Sequence, residues 1–504
     1  MRMLTRRWLT RHGWLIAIAL IYLYAFPYFP RIQSANELPR VYLVKAIADD
    51  GTFEIDAGVR RWGGTADVSP YAGHLYSNKA PGSSLLVVPI YAAVSWTVGP
   101  PSLGTTMWLC RIVAGVIPAV LFLWLLWGFL ARFAVDAAVR RLVVIAYALG
   151  SLAMTYAMLY YSHQLSAVCI ASSWIFAVEV ASGQRSLRWM AAVGFLAGAA
   201  ALVDYQAAFA GVPVGIYLIA KLWGRPRREL VAAVAIGAGS AAIPIAILLA
   251  YHALCFGSPL RTGYNVTQTF AHFHQQGFLG ISKLRGEAFW GSLVRPDNGL
   301  FVLSPWLLLG IPGAVLLWRR DRGTAIVCTA VAVIYILFIS SISFWRGGWG
   351  VGPRYITAML PFWLPAVVLA VDRVRARPLV AGAACGTIVS AVVIYTTTAA
   401  TFPYWPDSLT NPLYEVTFRL LGDGAVAPNV VGALGITGLA SVVPLFAGVA
   451  VLVGWALQRV VGWRGLAVAG IAGAMIIAAF ALVPATGRHA DRAYANTVYP
   501  AVTR

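Results

Sequence analysis

The stretch SANELPRVYLVKAIADDG, residues 34–51, sets an acid and a base, Glu37 and Arg40, one helical turn apart directly after an apolar run. Pro39 suits the first turn of a helix, Asn36 suits its cap, and Gly51 closes the segment about three turns later. Glu37 then stands at the helix mouth near the membrane plane, close enough to Arg40 for an ion pair. Solvated there, such a pair is worth under about 1 kcal/mol. Farther on, DVSPYAGHLYSNKAPGSSLLVVPIY carries Asp67, Asn78 and then Lys79, the last just before a Pro-Gly helix start. A lysine at headgroup depth meets a lipid phosphate there as readily as it snorkels.

Other polar groups sit at the edges of apolar runs. YYSHQLSA places His163 and Gln164 at one boundary, and LVDYQAAF leaves Asp204 between two runs with no neighbouring base. Boundary carboxylates are costly and tend to be functional; the plain alternative for Asp204 is a helix cap. In FWRGGWGVGPRYITAMLP, Arg346 and Arg354 flank a glycine-rich turn. Free backbone N–H groups and the Arg354 guanidinium together suit a phosphate or diphosphate. Residues 256–298 are rich in Gly, aromatics and His, which suits a covering loop that binds by stacking. Its His272 and His274 form an H-x-H pair without further ligands, so no metal site is assigned, and a divalent cation is the one candidate cofactor. Cys110, Cys169, Cys255, Cys328 and Cys385 are scattered singly and read as packing residues.

The elements that must position these groups follow from composition. Of 504 residues 60% are hydrophobic and only 11% charged, the charges clustered between long apolar runs. This pattern predicts an all-α polytopic membrane protein. The net charge of +20 must therefore be divided between two sides of a bilayer, and nucleic acid is excluded as the partner it would imply in a soluble chain. The first run, 14–29, lacks a cleavage site and is expected to be retained as a span. Further runs of spanning length bring the expectation to about thirteen transmembrane helices. The run 83–99 sits at the lower length limit. Leaving it uncrossed puts Arg132, Arg140, Arg141, Arg185, Arg188, Lys221, Arg225, Arg227, Arg228, Arg319, Arg320, Arg322, Arg373, Arg375, Arg377, Arg459 and Arg464 on the side of Arg2, Arg6, Arg7 and Arg11. The run 83–99 is thus expected as an outer-surface juxtamembrane or re-entrant helix, with the amino terminus inside and the carboxyl terminus outside. Segments 30–102, 256–298, 344–353 and 401–436 then face outward, and no separate soluble domain is expected. No period of 20–50 residues recurs, which weakens a transporter built from inverted repeats.

An acid-bearing helix immediately after the first span, followed by a K-x-P start to a second surface helix, resembles the first outer loop of the GT-C glycosyltransferases. The likeness is to the aminoarabinose transferases and protein O-mannosyltransferases above all, and is clearest over roughly residues 12–200. It makes residues 1–255 a GT-C-like transmembrane module whose first outer loop, 30–102, carries the site, and 256–504 a further set of helices. The family's Asp-Glu pair is Asn36-Glu37 here and its K-P-P is Lys79-Ala80-Pro81.

The resemblance implies a transferase at the outer face of the bacterial cytoplasmic (inner) membrane. Its implied partners are a polyprenyl-phosphate-linked sugar donor, membrane lipids, and a lipid, glycan or protein acceptor. The catalytic carboxylate is then Glu37, with Asp67, Asp204, Asp49 or Asp50 as substitutes. Arg40 keeps it ionised, Lys79 and Arg354 face the leaving phosphate, and Asn36, His163 and Arg346 complete the substrate contacts. A transporter or flippase for a lipid-linked glycan, and a non-enzymatic scaffold for envelope assembly, are the alternatives.

Overall fold

A computed structural model describes residues 2–27 and 34–503, with side chains from 12–27 and 34–497. The side chains of Arg2, Arg6, Arg7 and Arg11, and the end of the first apolar run, lie outside these. Helix α1 (Arg2–Tyr24) leads to α2 (Leu38–Lys45), where Pro39 occupies the first turn as its fixed φ allows. The residue at the cap is Glu37 rather than Asn36, and no side chain caps the helix. After Lys45 the helix widens into a π turn, Ala46–Asp50, and Gly51 ends it with φ 67°. Lys45 pairs with Asp49 at 3.3 Å, and the Tyr91 hydroxyl donates to the same carboxylate at 2.8 Å.

Helix α3 (Asp56–Trp62) is followed by an antiparallel pair, β1 (Val68–Tyr71) and β2 (His74–Ser77), turning over Ala72 and Gly73. Val68 stands opposite Ser77. This register brings Asp67, just before β1, level with Asn78 and Lys79, just after β2. Helix α4 (Gly82–Val98) packs Val87 and Tyr91 against α2 and leaves Leu86, Ile90 and Trp96 exposed.

Among the described residues, eight helices are long and apolar enough to cross a membrane, nine when Ala137–Leu149 and Leu152–Met158, bent by 57°, are one span. The helix Leu439–Ala479 is broken at Gly462, whose φ of 69° only glycine adopts freely. Both halves line one groove along Pro378–Ala400, so the element is a hairpin of two helices. Turns expected on one side meet at one end of the bundle. Arg132 donates to Gln184 at 2.7 Å, Arg320 to the Arg132 carbonyl at 2.8 Å, and Arg375 pairs with Asp136. Arg132, Lys221, Arg320 and Arg322 there border one depression.

The main core gathers around Trp174, Trp306 and Tyr147, with Trp306 Nε1 donating to the Gly150 carbonyl at 2.7 Å. A second cluster, with Val41, Val44, Tyr91, Tyr160 and Phe256, fixes α2, α4 and the hairpin as one unit. The five cysteines are free, and all but Cys169 are buried.

Candidate active site

Glu37 is fully buried, and its partner is Arg111 instead of Arg40. Arg111 Nε donates to Oε1 and Nη2 to Oε2, both at 2.9 Å. The Tyr404 hydroxyl donates to Oε2 at 2.6 Å, and the Tyr160 amide to Oε1 at 2.5 Å. Burial pushes this carboxyl up, but the Arg111 charge and the four donors outweigh it and hold Glu37 below the ordinary carboxylate range. Arg40, too far committed elsewhere to ionise Glu37, donates to Asn36 O and Oδ1 at 2.9 Å each and to Ser162 Oγ at 2.8 Å. Sequence reasoning passed over Arg111. An arginine inside the apolar run 103–131 was its signal, because an intramembrane cation demands a partner.

The polar groups that do converge surround a cavity of about 370 Å³. Ser34 and Asn36 before α2, Asp67 and Lys79 from the hairpin ends, and Arg354 from the glycine-rich turn all line it. Lys79 Nζ lies 2.9 Å from Asp67 Oδ2, and Asn78 Nδ2 donates to Oδ1 at 3.3 Å. Burial pulls the Lys79 ammonium below its ordinary range, and Asp67 opposes this without offsetting it.

Arg354 is buried between the rings of Tyr161 and Tyr355, 5.2 and 5.5 Å from their centroids. Its donors reach the carbonyls of Gly347 and, at 3.4 Å, Trp349, and among the described residues its Nε has no hydrogen-bond partner. A Cβ on Gly347, where φ is +74°, would stand 2.8 Å from that Nε, so glycine makes the close approach possible.

Aromatic rings form the rest of the wall. Tyr264 and His274 stack at 4.5 Å, with Lys79 Nζ 5.3 Å from the Tyr264 centroid, and Phe344 stacks on Phe273 at 4.6 Å and on Phe270 at 5.0 Å. Burial, and then the nearby Lys79 charge, pull the His274 imidazole down to about 4, so it is neutral near pH 7.

The remaining expected site residues lie behind this wall. His163 Nδ1 and Asp204 Oδ2 are 2.8 Å apart, with Ser162 and Gln206 also on that carboxylate. Asp204 therefore has a base beside it in space, though none in sequence. Arg346 is neutralised by Asp297 at 2.7 Å and also donates to the Asp407 carbonyl. Among the described residues, one group of possible metal ligands is close enough to share an ion: Glu54, Asp56 and His74, with ligand atoms within 4.8 Å. None of the three lines the cavity.

Neither a family model nor a curated protein matches the chain. Solved structures match its fold, two of ArnT among them. The first is ArnT from Cupriavidus metallidurans bound to undecaprenyl phosphate, with a TM-score of 0.54, 16% identity, and 97% of this chain and 79% of that one covered. The second is ArnT of the same organism in the apo state, with a TM-score of 0.51, 14% identity, and 98% and 77% covered. At these identities the likeness establishes architecture alone: the chain has a polytopic, helical membrane-protein fold like that of ArnT.

Proposed function

We propose that this chain is a glycosyltransferase that moves a sugar from a polyprenyl-phosphate donor to a hydroxyl of a lipid, glycan or protein acceptor. The observation that carries the reading is Arg354, a buried guanidinium on the cavity wall that meets carbonyls and tyrosine rings but forms no ion pair with a carboxylate among the described residues. A buried cation without a counter-ion is expensive, and a phosphate supplies both the charge and the planar acceptor pair that a guanidinium fits. The fold's neighbour was crystallised with undecaprenyl phosphate, a ligand of this chemistry.

Lys79 provides a second cation, and its lowered affinity for a proton would be restored by a bound phosphate. The Tyr264 and His274 pair and the Phe344 cluster offer flat apolar faces to a sugar ring. Of the three carboxylates chosen from sequence, Asp67 lines the cavity, whereas Glu37 and Asp204 brace its walls. We assign the cavity to the outer face of the bacterial inner membrane, because the arginine-rich turns gather at one end of the bundle and such turns favour the cytoplasm.

The test is binding of undecaprenyl phosphate to the purified protein in nanodiscs, with Arg354→Ala and Lys79→Ala beside it. Losing a charge-assisted contact is expected to weaken binding by about tenfold or more at each position, measured per folded protein because Lys79→Ala also strands the buried Asp67 carboxylate. Unchanged affinity in both variants would overturn the phosphate site.

A further inference from the structure

Two carboxylates form part of the cavity wall, Asp67 and Asp407. They differ in what they already hold. Both oxygens of Asp67 are engaged, one by Lys79 and one by Asn78, and its side chain is 8% exposed. The Asp407 carboxylate has no ion pair or hydrogen bond among the described residues; its backbone carbonyl alone is used, by Arg346. Asn36 lines the same cavity, but its amide takes no proton at ordinary pH.

The segment that carries Asp407 is fixed on both sides. Tyr404 is tied to Glu37, Trp405 Nε1 donates to Thr417 at 3.0 Å, and Ser408 Oγ donates to Asp491 at 2.6 Å. The Gly350 amide donates to the Trp405 carbonyl at 3.0 Å, joining this segment to the glycine-rich turn that holds Arg354. A carboxylate with free lone pairs and a guanidinium without a counter-ion thus stand on two joined walls of one cavity. That is the pair of groups a transfer between a hydroxyl and a sugar phosphate needs.

Resting on the transferase reading above, we infer that Asp407 is the general base that takes the proton of the acceptor hydroxyl. The acceptor oxygen forms a bond to the anomeric carbon as the bond from that carbon to the phosphate oxygen breaks. The bond's electron pair leaves with the polyprenyl phosphate, whose second negative charge is met by Arg354 and Lys79. The proton stays on Asp407, so charge and atoms balance with no further reactant. Asp67 in this arrangement positions Lys79.

The experiment uses the full chain in nanodiscs, with undecaprenyl-phosphate glucose, mannose and arabinose as donors and a heat-treated envelope extract as acceptor, and reads release of undecaprenyl phosphate. Asp407→Asn is expected to lower kcat by about 10²–10⁴-fold with undecaprenyl phosphate affinity unchanged. Asp407→Glu is expected to recover part of the rate. An Asp407→Asn variant within about threefold of the parent, or one that loses donor binding as well, would overturn the assignment. A parent protein that binds no undecaprenyl phosphate and releases none would instead overturn the transferase reading itself.

Discussion

Replacing Glu37 by Gln tests whether the buried ion pair holds the fold together. The carboxylate accepts two donors on each oxygen, Arg111 Nε and the Tyr160 amide on Oε1, Arg111 Nη2 and the Tyr404 hydroxyl on Oε2. An amide fits neither way round. Its NH2 placed at Oε1 would face two N–H donors, and placed at Oε2 would face the guanidinium while Tyr404 turned to accept. Either orientation removes the charge opposite Arg111, which is 5% exposed. Removing one partner of a buried ion pair costs about 3–5 kcal/mol. Glu37→Gln is therefore expected to lower the unfolding midpoint in detergent and to reduce folded yield, together with any loss of transfer. The double variant Glu37→Gln with Arg111→Met removes the stranded cation and is expected to be more stable than Glu37→Gln alone. A single variant within about 1 kcal/mol of the parent, or a double variant less stable than the single, would refute this.

Three further outcomes follow from the same geometry. His274 takes up a proton near 6.5 when unfolded but near 4 when folded, so lowering pH through that window favours the unfolded state. Thermal stability is expected to fall from pH 6.5 toward 4, and His274→Gln to flatten that slope; an identical slope in the variant counts against the buried, neutral histidine. Gly347→Ala places a Cβ against Arg354 Nε at a left-handed φ, a cost of about 1–2 kcal/mol, and is expected to weaken undecaprenyl phosphate binding in titrations without loss of expression. In intact cells, cysteines introduced at Arg185 and Arg225 are expected to resist an impermeant thiol reagent that labels one at Lys283, and labelling of either from outside would invert the topology.

Much of the architecture was legible because lipid imposes a local rule: a span must be a continuous apolar run, and its end must carry the charges. The helix 83–99 was legible for the same reason. Its shortness and the arginine pattern together argue for a surface position, and the helix packs on α2. Lys79 and Arg354 could be chosen because a cation next to a Pro or Gly helix start is also a local signal.

What stayed hidden depends on distance along the chain. Glu37 looks paired with Arg40 because the two are three residues apart, whereas its real partners are 74, 123 and 367 positions away. The β1 and β2 ladder hides in a segment read for its polar residues, although it is what sets Asp67 beside Lys79. Asp407 lies in TFPYWPDS, where no apolar run or helix start marks it. Its significance arises only when the 401–412 segment folds back over Glu37 through Tyr404. The acid at the membrane exit thus acts through that contact: Glu37 and Arg111 anchor Tyr404, and Tyr404 holds the segment that presents Asp407. On this account Glu37→Gln and Asp407→Asn both lower transfer but separate cleanly, the first through loss of folded protein and the second through kcat in a protein that still binds its lipid.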